Sequence, residues 1–155
     1  MAIRRIFNLT QDEETLRKKS RAVEVFDNRL AELLDDLTDT MREAGGVGLA
    51  APQVGILKRV VVIEVEDKLY ELVNPEIIKT SGSLEMDEGC LSIPGVSGKV
   101  QRFSKVTVKA QDRNGKYIKV TGTDLLARAL CHETDHLDGR LFIDIAESIS
   151  SAIDN

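Results

Sequence analysis

The chain has 155 residues, 42% hydrophobic and 30% charged, with a formal net charge of −5. That length buries an ordinary core, so residues 1–155 read as one domain, and the composition excludes a disordered chain. The acidic balance gives no reason to expect tight, non-specific binding to nucleic acid, DNA included, and no apolar run approaches the roughly 20 residues of a membrane span. The first residues, Met1 to Phe7, are basic but soon give way to polar and acidic ones, which fits neither a signal nor a transit peptide. Only two cysteines occur, Cys90 and Cys131. That is too few for a disulfide framework, and a reducing cytoplasm is the setting they suit.

In chain order, Asp27-Asn28 caps a helix running to about Ala44, with Leu30, Leu33, Leu34, Leu37, Met41 and Ala44 on one apolar stripe. Gly45-Gly46 stops it. Residues 46–55 are small and glycine-rich, the composition of irregular backbone that must approach something closely. Residues 59–65 read as a buried strand and 69–73 as its neighbour, ended by Asn74-Pro75. Further strands are expected over 100–103, 105–111 and 116–121, with Asp112-Arg113-Asn114-Gly115 as the hairpin turn between the last two. A helix follows over 123–137, with Thr123 as its N-cap, Leu125, Leu126, Ala129, Leu130 and Leu137 as apolar positions, and Gly139 closing it. The order predicts an α+β fold, with mostly antiparallel sheets packed around a central helix.

That last helix carries His132-Glu133-Thr134-Asp135-His136, an H-E-x-x-H pattern that contains both histidines of the chain. Residues four apart share a helix face, so two imidazoles reach one metal ion with the glutamate beside them. Cys90 offers a third ligand. Three protein ligands and an open position describe a catalytic rather than a closed structural site. One thiolate and two neutral imidazoles suit zinc, iron(II), cobalt or nickel, any of which acidifies water to a pKa of roughly 7. Glu133 is placed to take that water's proton and hand it to a leaving amine. Asp135 is a candidate hydrogen-bond acceptor behind a ligand. Glu88 and Arg102 either form a pair that orders the loop carrying Cys90 or make a solvated, energetically minor one. Two rival readings are an H-E-x-x-H endopeptidase and a non-catalytic zinc-binding interaction protein. The apparent cysteine ligand speaks against the first, and Glu133, which a structural site does not need, against the second.

Three segments, Gly46-Val47-Gly48-Leu49-Ala50-Ala51-Pro52-Gln53, Glu88-Gly89-Cys90-Leu91-Ser92 and His132-Glu133-Thr134-Asp135-His136-Leu137, resemble the three signature motifs of the peptide deformylases in order and spacing. The resemblance implies that Cys90, His132 and His136 bind one divalent metal, usually iron(II) in the cell, with zinc, nickel or cobalt possible in isolated protein. It implies that Glu133 is the general base and acid, and that the Gln53 side-chain amide and the Leu91 backbone N–H stabilise the oxyanion. Gly48 would hold an extended substrate backbone. The family removes the N-formyl group from the initiator methionine of nascent chains, releasing formate. From helix direction, Val47, Leu125 and Ala129 wall the methionine pocket and Arg128 sits near its rim; the leucine and alanine read equally well as core.

Two positions depart from the family. Cys131 stands where glutamine is frequent; being adjacent to His132 it points about 100° around the helix, toward packing rather than ligation. Gly45-Gly46 replaces an acidic residue followed by glycine. Beyond Arg140 the chain has no lysine or arginine, only Asp144, Glu147 and Asp154, so any ribosome contact is expected to use a surface other than this tail.

Overall fold

The computed structural model describes residues 2–151; Asp154 lies outside them. In chain order these residues form α1 (Leu9–Leu16), α2 (Asn28–Glu43), β1 (Gly48–Ala50), a 3-10 turn (Ala51–Val54), β2 (Val60–Val65), β3 (Lys68–Ser81), β4 (Leu84–Cys90) and β5 (Ile93–Arg102). After these come β6 (Lys105–Gln111), β7 (Tyr117–Thr123), α3 (Asp124–Leu137), a second 3-10 turn (Phe142–Asp144) and β8 (Ser148–Ser151). The strands make two sheets, β1-β2-β3-β6-β7 and β4-β5-β8, with every strand pair antiparallel. The fold is α+β.

β2 explains how the helices are arranged. Its side chains alternate between faces, as a pleated strand requires. Val60 and Val62 join Leu30, Leu34, Leu37 and Met41 of α2 in one apolar cluster. Val61 and Ile63 join Ala127, Leu130 and Leu137 of α3 in another. The five-stranded sheet therefore lies between the two helices. A third cluster, with Ile93, Val100, Leu141 and Phe142, holds the smaller sheet to the segment after α3.

α2 begins as expected, the Asp27 carboxylate accepting from the Leu30 N–H at 3.1 Å. Its apolar stripe stops at Met41, because Ala44 is exposed at the C-cap. α1 escapes sequence reading, since Leu16 alone is buried in it and no stripe is visible. β3 corrects the expected strand end at Asn74-Pro75: it continues to Ser81 through a register shift between Val73 and Glu76. Pro75 falls in that irregular stretch, where its missing N–H breaks no regular ladder bond. Asn74 adopts φ +52 and binds the backbone of Val23 with both ends of its amide, at 2.8 and 2.9 Å.

The strand expected over 100–103 is the end of the longer β5, and Phe103 lies outside it. β4 and β8 go unread because neither carries a sustained apolar alternation. The hairpin turn holds, with Gly115 at φ +85 and the Asp112 N–H bonded to the Lys116 carbonyl at 2.8 Å. Thr123 occupies the N-cap of α3 as expected, with extended backbone, although its side chain makes no capping bond. Gly139 closes the helix at φ +75, and a Cβ there would lie 2.2 Å from the Arg17 carbonyl oxygen.

Candidate active site

α3 is buried over Ala127–Glu133 and again at His136 and Leu137, so its two histidines point into protein. Cys90 ends β4 and faces them. The ligand atoms of Cys90, His132 and His136 lie within 4.8 Å of one another, with Cys90 Sγ 3.2 Å from His136 Nε2. His132 Nδ1 is 2.6 Å from a Glu88 carboxylate oxygen. That contact places the proton on Nδ1 and leaves Nε2 with its lone pair free for a metal.

The electrostatics fit a cation. Burial alone would lower the basicity of His132, but Glu133, Cys90 and Glu88 together hold its pKa well above the usual imidazole value. Burial keeps His136 well below it, in the neutral form that ligates. The two imidazoles and the soft thiolate suit a borderline divalent ion. A positive charge there also answers the anionic groups gathered around His132.

Glu88 is the residue the sequence left undecided. It is 4% exposed and Arg102 9%, and the guanidinium grips the carboxylate at 3.1 and 2.7 Å. Arg102 also reaches Asp135 at 2.7 Å. Burial pushes Glu88 up, yet the bonds from His132 and Arg102 bring it down to about 2. The pair is thus a buried link running from Asp135 through Arg102 and Glu88 to His132, not a solvated surface contact. In the sequence only Arg102 stands on a segment with strand character, and pattern alone does not pair it with Glu88. Replacing Glu88 with Gln is expected to lower metal affinity by roughly 10–100-fold, read by competition with a chromophoric chelator. Unchanged affinity would show that His132 needs no such partner.

Glu133 is 4% exposed, and its Oε1 has no hydrogen-bond partner among the described residues. Burial pushes its pKa up to about 7, the range in which a carboxylate both takes and returns protons. Gly48 is the reason it fits: a Cβ at that position would lie 2.6 Å from Glu133 Oε2. Gly48→Ala is therefore expected to displace the carboxylate and cut turnover by about 10-fold or more while the metal stays bound. Steady-state kinetics with metal analysis on the same sample checks this. Gly46 has a parallel role, since a Cβ there would lie 2.6 Å from Leu91 Cδ1.

Gln53 is 1% exposed in the 3-10 turn after β1. Its Oε1 accepts from the Ala50 N–H at 2.9 Å, which turns its NH2 group toward Ser92 Oγ at 3.1 Å and Cys90 Sγ at 3.6 Å. Ser92, fully buried, went unremarked in the sequence beyond its place in the cysteine motif.

A cavity of about 320 Å³ opens onto these groups, and Gln53, Cys90, Leu91, His132 and Glu133 line it together with Val47, Gly48, Leu125, Arg128 and Ala129. His136 lies behind it, 1% exposed. The structure reverses part of the expected pocket layout. Leu125 and Val47 are 43% and 38% exposed and so stand at the mouth, whereas Arg128, expected near the rim, is 7% exposed. It is drawn inward by donating to the Asp87 carbonyl at 2.8 Å. Leu125 is accordingly no core residue. Cys131 behaves as expected: it packs in the apolar cluster behind the helix, and burial raises its thiol to about 11.

A family model described as Polypeptide deformylase matches residues 3–152. A peptide deformylase of Caldicellulosiruptor bescii is 59% identical over 144 residues, covering 93% of this chain and 86% of the relative. One of Alkaliphilus metalliredigens is also 59% identical over 144 residues, covering 93% of this chain and 97% of the relative. Among solved structures, the peptide deformylase of Legionella pneumophila superposes with a TM-score of 0.89 at 48% identity, covering 94% of this chain and 86% of that one. That of Thermotoga maritima gives 0.90 at 35% identity, covering 94% and 99%.

Proposed function

The chain belongs to the peptide deformylase family, and from that membership we infer which of its side chains carry the reaction. The family activity is metal-dependent hydrolysis of the N-formyl group of nascent peptides. We read residues 1–155 as one catalytic domain. Cys90, His132 and His136 hold the ion; the convergence of their ligand atoms within 4.8 Å, beside the buried carboxylate of Glu133, is the observation that carries this assignment.

A divalent ion so bound acidifies water and acts as a Lewis acid near neutral pH. Glu133 takes the proton of the attacking water. As the formyl carbon becomes tetrahedral, negative charge grows on its oxygen. The Gln53 NH2 group, held in place by the Ala50 N–H, and the Leu91 backbone N–H donate to that charge. Pre-aimed donors of this kind contribute about 2.7–4 kcal/mol each. Glu133 then gives its proton to the leaving nitrogen, the C–N bond breaks, and formate and a free amino terminus depart.

β1 pairs with β2 on one side only, leaving a strand edge at Gly48 beside the cavity. An extended peptide laid along that edge would send its first side chain inward, past Val47 and Leu125 toward Ala129 and Arg128. An apolar, unbranched methionine suits that space.

The ion we assign in the cell is iron(II), with zinc, nickel or cobalt able to replace it; a thiolate ligand and an oxidisable ion suit a reducing cytoplasm, which is the location we assign. No helix among the described residues is long and apolar enough to cross a membrane. β8, the end of the described residues, pairs with β5, and residues 141–151 themselves carry no lysine or arginine, so we infer that any ribosome contact uses another surface. The deciding experiment is formate release from formyl-Met-Ala-Ser by protein purified anaerobically, with metal measured on the same sample. Formate tracking iron(II) occupancy supports the assignment. A fully metallated protein that releases none overturns it.

A further inference from the structure

α2 covers one face of the five-stranded sheet over β1 and β2, through Val60 and Val62. Over the far end of β3, and over β6 and β7, the same face is left to solvent. Strand register sets what stands there. Ser81, Lys105 and Thr123 lie side by side; Lys79, Thr107 and Thr121 form the next row; Glu76, Lys109 and Lys119 the third; Gln111 and Tyr117 the last. Adjacent strands are about 4.8 Å apart and same-face residues along a strand about 6.8 Å. The four lysines among them thus spring from a backbone area of roughly 14 by 10 Å.

Lys79, Lys105, Lys109 and Lys119 are all exposed, and among the described residues none of the four joins an ion pair within 4.0 Å. Lys109 and Lys119 are direct cross-strand partners, an arrangement of like charges that costs stability. The whole chain is acidic, at −5, so this positive field is local. Between the lysines stand hydroxyls, with Thr107 and Thr121 bonded to one another at 2.9 Å. Tyr117 is 67% exposed at the end of the array, with Lys109 Nζ 4.9 Å from its ring centre.

We propose that this outer face of β3, β6 and β7, with Lys79, Lys105, Lys109, Lys119 and Tyr117, docks single-stranded RNA along its phosphate backbone. Lysines and hydroxyls are phosphate-binding groups, and an exposed aromatic beside them offers a base a stacking platform. An acidic protein would use the lysines but not the aromatic–hydroxyl array. The face lies across the sheet from α3, so docked RNA leaves the catalytic cavity open.

The test measures binding of a fluorescent 16-nucleotide RNA of mixed sequence by anisotropy from 25 to 200 mM salt. The expected slope of log K against log salt is about −3, near −0.7 for each of four phosphates. K105E/K109E/K119E is expected to weaken binding at least tenfold and flatten the slope to about −1. Tyr117→Ala is expected to weaken it about fivefold with the slope unchanged. K18E/K19E/K58E, equal in net charge change but on other surfaces, is expected to bind like the parent. Both triple variants should release formate from formyl-Met-Ala-Ser at the parent rate, which certifies their fold. No binding at 25 mM salt overturns the proposal, as does equal loss in the two triple variants. Displacement of the RNA by polyglutamate at equal charge concentration would assign the face to acidic protein and overturn it too.

Discussion

Glu133→Ala is expected to keep its metal and lose about 10³-fold in formate release. Glu133 contributes no ligand to the cluster formed by Cys90, His132 and His136, so its removal leaves the ion's own protein contacts in place. What disappears is the group to which we assign taking a proton from water and returning one to the amine. The pH profile reports the same residue. Burial raises Glu133 to about 7, and a neighbouring divalent charge pulls it back down. The base acts only when ionised, so kcat/KM should fall as pH drops through an acid limb that lies below 7. Metal content and kcat/KM measured on the same preparations decide the matter. A metallated Glu133→Ala protein within tenfold of the parent rate would remove Glu133 from the mechanism.

Cys90→Ala is expected to lose both the ion and the activity. Its sulfur is one of three converging atoms that could hold the ion, and two imidazoles alone would leave a divalent ion without the donor set that a catalytic site requires. The damage extends to Gln53, whose NH2 group is 3.6 Å from Cys90 Sγ, although its bonds to Ala50 and Ser92 remain. After dialysis the variant should hold less than a tenth of the parent's metal, with an unchanged far-UV circular dichroism spectrum. Full metal retention would mean that another group completes the site. The two substitutions thus separate holding the ion from using it: one protein is inert with its metal, the other inert for want of it.

The legible parts of the fold were those in which a local pattern decides structure. The stripe from Leu30 to Met41, the turn at Asp112-Arg113-Asn114-Gly115 and the helix bearing His132 and His136 each carry their own period or turn chemistry. α1, with one buried residue, and β4, most of whose side chains face water or the site, carry none. The passage of β3 through Pro75 was illegible for another reason. Proline is an end signal locally, and only the register shift against β6 makes it tolerable within a strand.

The site divides along the same line. By itself the sequence determined the chemistry: spacing of four on a helix puts His132 and His136 on one face with Glu133 beside them, and that is a property of the α-helix whatever surrounds it. Only the tertiary structure decided what tunes those groups. Glu88 and Arg102 are 14 positions apart on neighbouring strands, and their pairing under His132 depends on the register of β4 with β5. Gly48 meets Glu133 because β1 packs beside α3, and Arg128 turns inward because the Asp87 carbonyl is there to receive it. Contacts between distant segments follow from how sheets and helices stack, and no local period encodes them.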